Sequence, residues 1–367
     1  MYRFSALRFQ VSAAFASAVL LLPLAASGAG DVRWCTCTQP IGCGCGQGYS
    51  GVPLDGAPMT PDPMQQPMPQ APMADPGLNL TQQFGGGGQF FTTTNTGYID
   101  TAVPFTHFRL RYDNANDNPF PDRAEFFYAM CGILGGPGPN DLETGVDYQE
   151  IRPYFEYAWS NRFSAFIETP IRFIDPEVNP NESGFGDLET GVKYALRACP
   201  NWDYLTFQFK VYVPTGDARE GLGTDHVSLE PGLLWFHRLT DRMILEGEVR
   251  GWIPIGGSEF NGDDFAGEVL RYGLGVGYDL YQGHNRCCQP TRLTAVTEMV
   301  AWTILDGQGL NGNTGAVFDA SGDTIVNLKL GARFTSGPKS LYAGYGRALS
   351  GDVWYEDIVR LEYRYGY

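Results

Sequence analysis

The chain has 367 residues, 41 acidic against 25 basic, for a formal charge of −16. Charged residues make up only 18%, while aromatics reach 14% and glycines number 47, a mixture that suits many strands and tight turns. So acidic a balance excludes the nucleic-acid binders, which set clustered Lys and Arg against phosphate.

Arg3 and Arg8 precede an apolar run from Val11 to Leu24 that ends in Ala25, Ala26, Ser27, Gly28 and Ala29. A basic start, an apolar middle and a small-residue end are the layout of a secretory signal peptide, expected over 1–29. Its removal takes Arg3 and Arg8 with it and moves the charge from −16 to −18. The run is short for a spanning helix, and no other stretch approaches the roughly 18 to 20 apolar residues one needs. Membrane residence would therefore be through a barrel. A lipoprotein is not expected, because Asp31, Val32, Arg33 and Trp34 precede Cys35 in place of a small-residue cleavage site.

Residues 30–51 carry Cys35, Cys37, Cys43 and Cys45 as two C-x-C pairs. Four thiolates can close a tetrahedral site for zinc or Cu(I), and the same cysteines can form disulfides in an oxidising compartment. The linker 52–88 holds eight prolines, four methionines (Met59, Met64, Met68, Met73) and few aliphatic side chains. It lacks the apolar surface to offset its ordering entropy and is expected to be a disordered tether.

From about Phe105 the pattern changes to short alternating segments broken by Gly, Asn, Asp and Pro. Phe163, Ala165, Ile167, Ile171 and Phe173 share one face against Arg162, Glu168 and Arg172; Leu205, Phe207, Phe209 and Val211 alternate with Thr206, Gln208 and Lys210. A period of two means two different environments. In a membrane barrel the apolar face meets lipid and the polar face lines the lumen. The lumen candidates are Glu150, Arg152, Glu156, Arg162, Glu168, Arg172, Lys193, Lys210, Glu246, Glu248, Arg250, Lys329 and Arg333. A face so rich in opposite charges predicts a wet, charge-paired interior.

The connections alternate in length. Short ones near 160–161, 198–202, 240–241, 282–290 and 336–339 interleave with longer ones at 174–184, 215–225, 255–267, 306–323 and 348–354. The five longer ones hold thirteen acidic residues and one basic residue, Arg219. Outer-membrane barrels alternate short periplasmic turns with long outer loops in this way. Asp141–Tyr148 (DLETGVDY) recurs as Asp187–Tyr194 (DLETGVKY), which predicts two strands starting from outer loops. In the last segment Val359, Leu361, Tyr363, Tyr365 and Tyr367 share a face ending in a terminal aromatic, opposite Arg360, Glu362 and Arg364. This resembles the C-terminal signal by which barrel assembly machinery recognises its clients.

The reading is thus all-β: a transmembrane antiparallel up-and-down barrel over 89–367 with a disordered N-terminal extension. About twelve strands are expected, one at Phe105–Tyr112 and eleven from Val146 onward, with Asp113–Leu142 an outer loop. Fourteen is the alternative, adding Ala124–Met130 and a segment near Phe90. Gly184-Phe185-Gly186-Asp187-Leu188-Glu189-Thr190-Gly191-Val192-Lys193-Tyr194, with Pro214-Thr215-Gly216 and Leu229-Glu230-Pro231-Gly232, resembles the outer-membrane family named for the MetA pathway of phenol degradation. That resemblance implies a barrel and uptake of small hydrophobic or aromatic compounds.

His107, His226, His237 and His284 have no metal-ligand spacing, and no nucleophile elbow or phosphate loop is present; neither an enzyme nor a cofactor is expected. The expected function is a passive channel or transporter in the outer membrane, its partners outer-membrane lipid, the barrel assembly machinery and a small-molecule solute. A plugged structural barrel is the alternative, as is copper or zinc handling by the Cys/Met extension. Oligomeric state stays open.

Overall fold

The computed structural model describes residues 94–367, except 200, 201, 286–288 and 352. The first strands are β1 (His107–Asn118), β2 (Val146–Ala158), β3 (Phe163–Glu168), β4 (Ile171–Pro176), β5 (Glu182–Phe185) and β6 (Leu188–Cys199). There follow β7 (Asp203–Val213), β8 (Val227–Arg238), β9 (Met243–Ile255), β10 (Glu259–Phe260), β11 (Asp263–Asp264) and β12 (Val269–His284). The last are β13 (Pro290–Ile304), β14 (Gln308–Asn311), β15 (Ala316–Asp319), β16 (Thr324–Ser336), β17 (Lys339–Ala348) and β18 (Asp357–Gly366). Two small hairpins, β10–β11 and β14–β15, stand apart in loops.

The other fourteen form one antiparallel sheet that closes on itself, β1 pairing with both β18 and β2. Closure pairs both sides of every long strand of the wall, which a β-structure in hydrocarbon requires; only the short β5 is paired on one side. Because β3 and β4 both pair with β2, they are one stave interrupted at Thr169–Pro170, where proline has no N–H to give. Likewise β5 pairs with β4 and β6 with β3, giving twelve staves, as the sequence predicts.

Alternation decides which way each side chain faces. On β2, Phe155 and Tyr157 are exposed while Tyr154, Glu156 and Ala158 are buried. Leu233, Val249, Leu274, Met299, Leu330 and Phe334 continue an exposed apolar belt around the wall. Water does not tolerate so large an apolar surface, whereas lipid is its natural solvent. No helix among the described residues is long and apolar enough to cross a membrane; strands make the wall.

Both ends of the closed wall behave differently. The connections at 159–162, 239–242 and 337–338 are short, the last a turn in which Gly337 takes φ +54°, a conformation that favours glycine. Both His107 and Gly366 lie at this short-turn end, paired with each other.

Three expectations change. The first strand runs six residues further than Tyr112, to Asn118, because the polar residues Asp113, Asn114 and Asn116 are strand residues paired with β18. Ala124–Met130 is no strand: it opens with a 3-10 turn at Arg123–Glu125 and folds inward, which removes the fourteen-strand alternative there; Phe90 lies outside the described residues. The repeated octapeptide also behaves unequally. Its second copy is in strand from Leu188, but the first enters strand only at Val146, because Glu143 instead accepts the backbone N–H groups of Glu177 and Asn179 at 2.9 and 3.0 Å.

Candidate functional site

The inward side chains form a charge-paired lining. Arg152 contacts Glu168 at 2.9 Å and Glu150 at 3.3 Å, and also bonds Glu189. Arg172 contacts Glu150 at 2.6 Å, Lys210 contacts Glu189 at 2.8 Å, and Lys193 contacts Glu156 at 2.9 Å. Arg250 bridges Glu230 and Glu248, which also holds Arg271 at 2.7 Å. Arg333 pairs with Glu362 at 2.7 Å. Glu246 and Lys329 are buried inside as well. Twelve of the thirteen candidates therefore line the interior; Arg162 stands exposed in the turn between β2 and β3. Arg109, Arg111 and Asp113 on β1, Glu230 on β8, Arg271 on β12 and Glu298 on β13 belong to the same lining. Their signal was the same alternation, present in Arg109-x-Arg111-x-Asp113.

The interior is not an open wet bore. Residues 94–106 turn into the lumen from the short-turn end, climb to the level of Tyr98 and Asp100, and return to β1. Asn95 and Thr96 donate their backbone N–H groups to Glu246 at 2.9 and 3.0 Å. Gly97, Tyr98 and Ile99 donate theirs to Glu298 at 3.0, 2.9 and 2.9 Å. Arginines take the carbonyls: Arg333 bonds those of Asn95 and Thr96, Arg360 that of Gly97, Arg271 that of Tyr98. Asp100 receives Arg250 at 3.1 Å and Arg109 at 3.3 Å. The wall thus replaces water for a segment with no secondary structure of its own, which buried backbone requires.

Glycines make room for it. On β12, Gly273, Gly275 and Gly277 point inward in succession; a Cβ on Gly275 would meet Thr96 at 2.6 Å, and one on Gly277 would meet Asn95 at 2.8 Å. Sequence reasoning missed this segment, although three glycines at every second position of a strand are a legible sign of close backbone approach.

The long-loop end is closed from above by residues 119–145. Ala124 and Glu125 both adopt left-handed backbone, φ +53° and +48°, which is costly for non-glycine residues. Glu125 is held there by the N–H groups of Met130 at 2.7 Å and Ser258 at 2.9 Å, with His226 Nε2 3.7 Å away. Phe126 lies between Trp252 and Trp354, each ring centre 5.2 Å distant. Arg123 donates to the Val353 carbonyl at 2.8 Å and to Asp323 at 3.3 Å. Burial pushes the Asp122 carboxyl up to about 7. Outside this lid, Asp117, Asp147, Asp175, Glu177 and Glu356 rim an acidic cavity of about 690 Å³.

Between the lid and the re-entrant segment lies a chamber of about 150 Å³, bounded by Phe126 and Phe127 above, Tyr98 and Asp100 below, and the charged wall. It is the space left between the two segments inside the wall.

The other sites are placed as follows. Val359 and Tyr367 are exposed on the outer face of β18, Leu361 and Tyr365 are half-exposed, Tyr363 is covered, and Tyr365 packs edge-on against Tyr367 at 5.0 Å. Cys131, buried in the lid, and Cys199, exposed, are free thiols. Cys35, Cys37, Cys43, Cys45, Cys287 and Cys288 lie outside the described residues. His107 is buried, stacked on Phe105.

Neither a family model nor a curated protein matches the chain. Among solved structures, an outer membrane channel from Pseudomonas putida F1 is similar over 75% of this chain and all of its own, at 12% identity and a TM-score of 0.47. The NanC porin matches over 70% of this chain and 100% of its own, at 9% identity and 0.40. The β domain of the Bordetella autotransporter BrkA matches over 72% and 100%, at 14% identity and 0.43.

Proposed function

We propose that the protein is an outer-membrane conduit for small solutes, shut at rest from both ends. The observation that carries this is the anchoring of residues 94–106: the segment is bonded through its backbone to Glu246, Glu298, Arg333 and Arg360. Thr94 and Thr106, at its two described ends, both lie at the short-turn end, beside Arg364 and Tyr367. A lumen already lined with paired charges is what departure of the segment would uncover, and charged rings inside a pore select the solutes that pass. The resemblance noted in the sequence adds small hydrophobic or aromatic solutes as the class to screen.

Planar-bilayer recording of the refolded full chain and a Glu298→Ala variant tests the conduit. Rare openings in the wild-type protein and frequent ones in the variant are expected. Silence in both, with the variant barrel folded and its segment released, would overturn it in favour of a plugged structural barrel.

A further inference from the structure

One buried lysine in the chamber has no carboxylate in contact with it among the described residues. Lys329 is 2% exposed and lines the chamber with seven arginine and lysine side chains. Each of those seven stands within 3.3 Å of a carboxylate oxygen. Among the described residues, no carboxylate comes within 4.0 Å of Lys329. Its ammonium donates to the Tyr355 hydroxyl at 2.7 Å and otherwise faces rings, Tyr98 at 3.7 Å and Trp302 at 5.3 Å.

The missing partner is identifiable. Glu298 lies directly across from Lys329 in the β13–β16 register, the ordinary place for a cross-strand ion pair. Its carboxylate instead accepts the N–H groups of Gly97, Tyr98 and Ile99 and the Tyr342 hydroxyl. Docking the re-entrant segment therefore consumes the counter-ion of Lys329. A buried amine in that state holds its full charge only where something else supplies negative charge. Among the other donors lining the chamber, the Tyr98 hydroxyl and the Trp302 and Trp354 indole N–H groups have no hydrogen-bond partner among the described residues.

We propose that the chamber binds a small organic carboxylate, its anionic end on Lys329 Nζ and its apolar part against Tyr98, Trp302 and Tyr355. A cavity of about 150 Å³ admits a body about the size of one benzene ring. The aromatic lining favours a planar tail over an aliphatic one. The site exists only while Glu298 is occupied by the segment, so the ligand binds the closed state and stabilises it by linkage. This goes beyond the conduit and rests only on the closed arrangement.

The test uses the full chain refolded in detergent with sodium benzoate, or with neutral benzyl alcohol, already in the refolding buffer. Occupancy then requires no opening, and a barrel that never conducts still reports on the site. Tryptophan fluorescence, read through Trp302 and Trp354, gives saturation, and hydrogen exchange reads the amides of Gly97–Ile99. Benzoate should saturate one site and slow those amides, and benzyl alcohol should do neither. Lys329→Met should weaken benzoate about tenfold or more, the worth of one charge-assisted hydrogen bond, while Lys329→Arg and the rim variant Lys339→Met retain it. The absence of saturable benzoate binding, equal binding of benzyl alcohol, or full binding by folded Lys329→Met would each overturn the proposal. The comparison of the two wild-type ligands decides even if Lys329→Met fails to fold.

Discussion

Two segments close this barrel, and they are held by opposite means. Residues 94–106 bury Tyr98 and Ile99 in the main apolar cluster and Ala102 and Val103 in a second, but their backbone is fixed by charged side chains. The lid at 119–145 is fixed largely by rings: Phe126 on Trp252 and Trp354, and Phe127 on Tyr148. Polar bonds are directional and all-or-none, so the first segment can leave as a unit when its acceptors change. Aromatic packing is non-directional and cumulative, so the second loosens by degrees. In the proposed conduit, the sharper opening is therefore expected at the short-turn end.

The largest effect should come from Glu298→Ala. It removes three hydrogen bonds to a charged acceptor and leaves three amides unsatisfied, a cost of about 3 to 5 kcal/mol. Hydrogen exchange of Gly97–Ile99 should accelerate by about a hundredfold or more, with the lid unchanged. Unchanged protection would show that the wall carboxylates do not hold the segment. Gly275→Leu attacks the same contact sterically, since even a Cβ there would meet Thr96 at 2.6 Å, and should expose the same amides.

Phe126→Ala should act at the other end, costing about 3 kcal/mol by removing an aromatic side chain from between two tryptophans. Protease sensitivity within 119–145 should rise while Gly97–Ile99 stay protected. If both segments loosen together, they form one cooperative unit and the contrast drawn between them fails.

How much of this was legible beforehand follows from what alternation can encode. The wall was, because a period of two exposes Phe155 and buries Glu156 wherever the strand lies in the barrel. Strand number was legible for the same reason. The end of β1 was not, since Asp113, Asn114 and Asn116 read as loop until Asp113 is seen against Arg360 at 2.5 Å. Charge pairing of the lining was also visible, but the segment that fills the interior was not. Asn95–Asp100 has no periodicity of its own, and most of its bonds are to residues about 150 to 270 positions away. Only Gly273, Gly275 and Gly277 betrayed it. Lys329 was recognised as inward-facing, yet its lack of a carboxylate contact depends on Glu298, directly across on the neighbouring strand, being bonded to the re-entrant segment.

The lid also carries a carboxyl that titrates near neutral pH. With its carboxyl near 7 in the folded protein against about 4 when unfolded, Asp122 binds a proton in the closed lid that it releases on opening. Closure is therefore strongest at low pH and weakens as pH rises from about 4 through about 7, by about 2 kcal/mol between pH 5 and pH 7. Cleavage of the lid by protease should increase over that window, and Asp122→Asn should flatten the dependence. A slope that survives the substitution would assign it to another group.

The smallest effect is expected outside both closures. Arg197 and Asp203 form an ion pair at 3.0 Å near the short-turn end, but the arginine side chain is 65% exposed. Solvent screens such a pair, and its loss should cost less than about 0.5 kcal/mol. Lys193 and Glu156 make a contact of nearly the same length, 2.9 Å, with both partners buried. Removing one of these leaves an uncompensated charge inside the wall, a cost of about 3 kcal/mol or more. The midpoint of heat-induced unfolding in detergent should thus barely move for Arg197→Ala and fall clearly for Lys193→Ala. Equal shifts would mean that water reaches Glu156 as freely as it reaches Asp203, and the lumen between the wall and the re-entrant segment would then be wet.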